Sequence, residues 1–146
     1  MRELPRQLSV DELAALFEGR TAFVERLASL DDPLTTARTL VHELPDGEKR
    51  ELLDAHPAIG RRTGLSAASA AEQGTDDDPA VLEELARLNA AYEAKFGFRF
   101  VVFVNRRRKA EILPILRTRL ERTREEELET GLDELVSIAL DRWSKR

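Results

Sequence analysis

Residues 79–104 read PAVLEELARLNAAYEAKFGFRFVVFV, and this stretch decides the fold. Its first part is helical. Asp78 precedes Pro79, an N-cap followed by proline at the first helical position, and Leu82, Leu85, Leu88, Tyr92 and Phe96 recur at steps of three and four. Gly97 suits the position just past the helix end. The second part, Phe98–Val104, is aromatic and β-branched and carries no helical period. By composition it is a strand, yet nothing else in the chain could pair with it. A buried extended segment packed among helices is the better reading, and an all-α protein follows.

Outward from there the pattern stays helical. Ser9-x-x-Glu12 reads as a capping box ahead of Leu13, Leu16 and Phe17. Phe23, Leu27 and Leu30 form a second stripe. Asp32-Pro33 repeats the start signal before Leu34, Ala37, Val41 and Leu44, and Pro45 stops that stripe. Asp46 is expected to cap a short helix with Leu52 and Leu53 inward, ending before His56-Pro57 because proline disfavours helix at the preceding residue. Residues 57–65 read as a loop, Ser66 as the cap of a short helix carrying Ser69, Glu72 and Gln73, and residues 74–78 as a solvated turn. After the basic turn Arg106–Lys109, Pro114 predicts a late start or a kink in a helix around Ile112–Leu120. Glu125–Glu127 suit the positive end of a last helix whose inward row is Leu128, Leu132, Leu135 and Ala139. The expectation is one domain over residues 1–146, an all-α bundle of about seven to eight helices with one buried extended segment near 99–104.

Composition removes several kinds of chemistry. The chain has 146 residues, two histidines, no cysteine and a net charge of −5. Without cysteine there is no disulfide framework, no thiolate nucleophile and no Cys-ligated metal. Neither histidine belongs to an H-E-x-x-H pair, so no metal is expected; the scattered glycines form no phosphate loop. The acidic balance argues against a nucleic-acid partner, and Arg106–Lys109 lacks the interleaved aromatics of a nucleic-acid surface. The longest apolar run, Phe100–Val104, is far too short to span a bilayer. No signal segment opens the chain and no address closes it, so a cytoplasmic protein without a membrane partner is expected.

Three features go beyond what a bundle needs merely to fold. His56 stands at a helix C-terminus, where the dipole favours the protonated ring, and Pro57 fixes its backbone; a histidine interacting with its own helix end is the plainer reading. Ser69, Glu72 and Gln73 lie at i, i+3 and i+4, one polar helix face among small alanines, which also suits a solvated face. Arg142 continues the apolar row of the last helix, where a guanidinium must be paired or meet an anion, unless it caps the frayed helix end.

Together these residues resemble one family, the 2-oxo-4-hydroxy-4-carboxy-5-ureidoimidazoline (OHCU) decarboxylases of urate degradation. The resemblance rests on four segments in order: 56–60 (HPAIG), 69–73 (SAAEQ), 88–98 (LNAAYEAKFGF) and 138–142 (IALDR). It implies an all-α, cofactor-free decarboxylase that forms S-allantoin from a small ureidoimidazoline substrate, often as a homodimer. By the same resemblance His56, Glu72 and Arg142 match the catalytic set. Pro57, Ser69 and Gln73 match substrate contacts, as does the segment Phe100, Val101, Val102, Phe103 and Val104, whose backbone would face the substrate ring. His56 is expected to deliver a proton, Glu72 to hydrogen-bond the substrate, and Arg142 to hold anionic oxygen. The chain departs from the family pattern at Arg99, where proline is usual, at 74–76, and at Arg106–Lys109, where Gly and Ser are common. The competing readings are a non-enzymatic interaction module using the Arg142 face or the basic turn, and a decarboxylase-like protein whose specificity Arg99 has shifted.

Overall fold

A computed structural model describes residues 4, 7–60, 66–73 and 78–145, apart from the side chains at 67 and 73. Among these residues there are eight helices and no strand: α1 (Val10–Phe17), α2 (Ala22–Ala28), α3 (Pro33–Val41), α4 (Asp46–Asp54), α5 (Ala67–Gln73), α6 (Pro79–Phe96), α7 (Lys109–Leu120) and α8 (Arg124–Ser144). The protein is all-α, and 99–104 is extended and unpaired as the missing partner strand required.

Several helix ends follow from local chemistry. The Ser9 hydroxyl accepts the Glu12 amide while the Glu12 carboxylate accepts the Ser9 amide, and Thr123 and Glu126 repeat the arrangement at α8. The Asp78 carboxylate accepts the Ala80 amide, and Gly97 ends α6 at φ +82°, a left-handed conformation that glycine adopts without steric cost. Three starts differ from expectation. The Asp32 side chain makes no cap; its residue sits at φ 55° while Pro33 begins α3. Asp46 is the first residue inside α4 rather than its cap, and its carboxylate receives both arms of Arg124, at 3.0 and 3.1 Å. Helix α7 does not wait for Pro114. It begins at Lys109, where the Glu111 carboxylate accepts the Arg108 amide at 2.6 Å, and it carries Pro114 inside.

Helix α8 is the spine, with α1, α3, α4 and α6 against it and α7 on α6. Its row Leu128, Leu132, Leu135 and Ala139 is buried as its spacing predicts. Gly131 lets α4 come close: a Cβ there would fall 3.1 Å from Leu53 Cδ2. Glu127 lies in the first turn, at the positive end of the helix as expected, and is fully buried. It accepts hydrogen bonds from Tyr92 Oη (2.6 Å), Arg119 Nε (2.7 Å) and Arg122 Nη1 (2.8 Å), so the charge is paired on every side.

That network also holds the extended segment. The Arg119 guanidinium lies 4.6 Å over the Phe100 ring and donates to the Val101 carbonyl at 2.9 Å. Glu134 accepts the Phe103 amide at 3.3 Å, and Arg107 reaches back to the Phe103 and Val104 carbonyls. A segment without a sheet partner is therefore pinned by side chains, as its buried backbone requires.

His42 closes α3. Its Nδ1 meets the Glu129 carboxylate and its Nε2 lies 2.7 Å from Asp133, which staples α3 to α8; Lys49 binds the same Glu129 at 2.6 Å. Partial burial works to lower the ring's pKa, but hydrogen bonds to Asp133 and Glu129, with their charges, outweigh it and raise the value. A raised folded-state pKa gives stability that is full below the unfolded value of about 6.5 and is lost as pH rises through the folded value. The melting temperature of wild type should thus exceed that of His42→Gln most clearly near about pH 6, with the gap closing toward about pH 9. Thermal melts across that range measure it, and a gap that widens with pH would contradict the staple.

Candidate active site

A cavity of about 240 Å³ opens where the loop after α4, helix α5, the extended segment and the end of α8 meet. Its lining includes His56, Pro57, Ser69, Glu72, Phe100, Val101, Val102, Phe103, Val104 and Arg142, contributed by four separate stretches of sequence. Of the candidate residues only Gln73 cannot be placed, because its side chain lies outside the described residues. Ile59, Ala71, Asn105, Arg106, Ile138, Asp141 and Lys145 complete the wall. Lys145 is paired with Asp141 at 2.8 Å.

His56 sits two residues past the end of α4, and its amide donates to the Leu53 carbonyl at 3.2 Å. Asn89 of α6 holds the loop by donating to the Ile59 carbonyl at 3.0 Å. Arg99 holds it from behind: its amide donates to Asp54 Oδ1 (2.9 Å), and its Nη1 donates to the carbonyls of Asp54 (3.2 Å) and His56 (2.7 Å). The imidazole is buried, and its Nε2 has no hydrogen-bond partner among the described residues. A buried unpartnered nitrogen on a cavity wall is a costly feature for a fold and a useful one for a site.

The dipole at the end of α4 argues for a protonated ring. The structure reverses that. Burial pushes His56 down to about 4, the Arg142 charge adds to the fall, Glu18 works against it, and Arg99 lowers it further. The ring is neutral near pH 7.

Arg142 is buried, and its guanidinium does not cap its own helix. Nε and Nη2 grip the Glu72 carboxylate, both at 2.8 Å; Nη2 also donates to Ser69 Oγ (3.1 Å). Nη1 donates to the Ala15 and Leu16 carbonyls (3.2 Å each) and to Glu18 Oε2 (2.8 Å). All five guanidinium N–H groups therefore have protein acceptors, so the expectation that Arg142 holds anionic oxygen of a ligand meets a side chain already engaged. What Arg142 visibly does is orient Glu72. Burial opposes the charge of Arg142, but Glu72 and then Glu18 outweigh it and raise its pKa.

Glu18 is the site residue that sequence reasoning misses. It ends α1 at φ 65°, a left-handed conformation rare without glycine, and its carboxylate accepts Ser69 Oγ (2.8 Å), Ser66 Oγ (3.2 Å) and Arg142. Burial would raise its pKa; the hydrogen bonds from Ser66 and Ser69 and the Arg142 charge prevail and hold it below the usual value. One local signal points to it: a carboxylate at a helix C-terminus opposes the dipole and needs a reason to be there. Ser69 links the two acids' partner to the helix, accepting from Arg142 and donating to Glu18. Among the described residues no three His, Cys, Asp or Glu side chains converge to hold a metal, and no helix is long and apolar enough to cross a membrane.

The model of the OHCU decarboxylase family matches residues 2–144. The chain is 29% identical to the 2-oxo-4-hydroxy-4-carboxy-5-ureidoimidazoline decarboxylase of Haloferax volcanii, over 94% of this chain and 88% of the relative. It is 32% identical to the decarboxylase of the same description from Halalkalicoccus jeotgali, over 95% and 85%. Against the uric acid degradation bifunctional protein PucL of Bacillus subtilis it is 30% identical over 95% of this chain but only 30% of that longer protein. Among solved structures, an OHCU decarboxylase crystallised in the presence of (S)-allantoin has TM-score 0.78 and 28% identity, covering 92% of this chain and 96% of the other.

Proposed function

The chain belongs to the OHCU decarboxylase family, and from that premise we propose that it converts OHCU to S-allantoin without a cofactor, with His56 as the proton-transfer residue. The observation that carries the reading is the cavity itself: a neutral, buried imidazole with an unpartnered Nε2 faces the same space as a carboxylate fixed by two guanidinium bonds. A cavity lined in this way favours the enzyme over the interaction module.

The substrate supplies its own electron sink. An imidazoline ring has one double bond; with its fourth position saturated by hydroxyl and carboxylate, that bond lies at the neighbouring carbon, which bears the ureido group. Breaking the carbon–carboxylate bond releases CO₂ and sends the electron pair toward that C=N, whose nitrogen takes up the one proton the reaction consumes, drawn from water. The resulting enol becomes the ring amide carbonyl of allantoin when its hydroxyl proton leaves and the ureido-bearing carbon is protonated on one face. A neutral imidazole suits that exchange, since it accepts the hydroxyl proton and returns one to carbon with no net change of its own charge. Glu72 would hold the ureido or ring N–H groups in register, with Arg142 and Ser69 positioning it. Hydrogen bonds reach the extended segment at Arg99, Val101, Phe103 and Val104, but none from the described residues reaches Val102, leaving its backbone to meet the ring. By resemblance alone, Gln73 joins this set and the enzyme is a cytoplasmic homodimer, the second of which light scattering tests.

The test follows freshly generated OHCU by its ultraviolet decay and the product by circular dichroism. Wild type should accelerate the decay and give one enantiomer; decay no faster than buffer, or a racemic product, would falsify the assignment.

A further inference from the structure

Among the described residues, the polar cluster beneath the cavity carries one guanidinium, Arg142, and two carboxylates, Glu18 and Glu72, which leaves one negative charge in excess. His56 beside it is neutral at pH 7. Any ligand that itself carries a carboxylate meets repulsion from this cluster and needs a cation that is not already engaged. Lys145 is paired with Asp141, and all five N–H groups of Arg142 have acceptors. Of the described cations on the cavity wall, Arg106 is the one left. It is exposed at the rim and makes no hydrogen bond or ion pair with the described residues.

The turn around it is built to present that side chain. Asn105 and Arg106 both sit in the left-handed region, at φ 49° and 66°, which asparagine adopts readily and arginine rarely. Arg107 braces the turn. Its amide donates to the Val104 carbonyl at 3.1 Å, its Nε to the same carbonyl at 2.9 Å, and its Nη2 to the Phe103 carbonyl at 2.5 Å. The three arginines of the basic run thus play different parts. Arg107 ties the turn to the extended segment, Arg108 supplies the amide that opens α7, and Arg106 is the exposed arginine of the cavity lining.

We propose that Arg106 captures the carboxylate of the substrate at the mouth of the cavity. This rests on the decarboxylase reading above. The contact would leave the ring inside, against His56 and the extended segment, and the departing carboxylate at the open end. A guanidinium at a wet rim binds the carboxylate without enclosing it, so it serves capture more than chemistry. Its loss should appear in KM and leave the chemical step largely intact.

Kinetics of Arg106→Gln and Arg106→Lys with fresh OHCU test it, with Arg108→Gln as a variant of equal charge change outside the cavity wall. Arg106→Gln should raise KM roughly tenfold, the size of one charge-assisted hydrogen bond, with kcat within about twofold of wild type. Arg106→Lys should recover part of the loss. The wild-type kcat/KM should fall with added salt, and that of Arg106→Gln should fall less. Allantoin lacks the carboxylate, so its thermal stabilisation of wild type and Arg106→Gln should be equal. An unchanged KM, an equal effect from Arg108→Gln, or a parallel loss of allantoin binding overturns the proposal. A wild type without turnover overturns the decarboxylase reading instead.

Discussion

His56→Ala should cost at least about a hundredfold in kcat/KM for OHCU, the size of a general acid–base contribution, while folding normally. Truncation breaks no hydrogen bond from Nε2 to the described residues, and the bond that fixes the residue to the end of α4 uses its backbone amide, so the loss is confined to the packing of the buried ring. Acid separates this histidine from the other one. With His56 held at about 4 when folded, the unfolded chain binds a proton there first, so the residue's contribution to stability is full above the ordinary value of about 6.5 and falls as pH drops toward 4. Wild type should therefore lose stability relative to His56→Gln across that interval, by up to about 3 kcal/mol at its lower end. His42, with its raised pKa, should do the opposite. Nitrogen-detected NMR of the two imidazoles at about pH 5.5 should show His42 charged and His56 neutral. In the free enzyme, kcat/KM should hold down to about pH 5 and fall only near 4, when the base is protonated. Near-wild-type turnover by His56→Ala would remove it from the chemistry, and an acid limb at about 6.5 would contradict the neutral buried ring.

What can be read in the sequence is whatever neighbours in the chain decide. Ser9 with Glu12, Asp78 with Ala80 and Gly97 set helix ends within a few residues, so their signals are local and they appear as expected. The unpaired run Phe98–Val104 is legible for a different reason, the absence of any second strand. Several of the failures share one cause, a distant partner. Asp46 is drawn to Arg124, 78 residues on, in place of capping α4. Glu127 takes its expected place in the first turn of α8, but its burial depends on Tyr92 and Arg119, which meet it in the core. Within the site, spacing puts Ser69 and Glu72 on one face and Arg142 on an inward row, but which way their donors run depends on Glu18, 124 residues from Arg142. The charge state of His56 is the sharpest case. Its helix dipole, visible locally, argues for a cation; burial and Arg142, visible only in three dimensions, make it neutral.

Arg142→Met should be the most damaging single change to stability. It strips the counter-charge from Glu18 and Glu72, whose side chains are 11% and 20% exposed, and leaves the Ala15 and Leu16 carbonyls without their donor. Removing one partner of a buried ion cluster costs about 3–5 kcal/mol, which in a chain of this size lowers Tm by about 10 °C or more. Activity should vanish too, but an unstable variant cannot by itself assign a role. Two further variants separate the effects. Arg142→Lys keeps the charge on a single point and cannot reproduce the paired grip on Glu72 together with the contacts to Ser69 and Glu18; it should fold and still lose most of its turnover. The triple variant Glu18→Gln, Glu72→Gln, Arg142→Met removes every charge of the cluster at once. Because a buried ion cluster is commonly near-neutral against uncharged side chains of similar volume, this variant should regain much of the lost Tm and none of the activity. Full activity in Arg142→Lys would mean that its grip on Glu72 is irrelevant to catalysis. A triple variant no more stable than Arg142→Met would place the cost in packing rather than in unpaired charge.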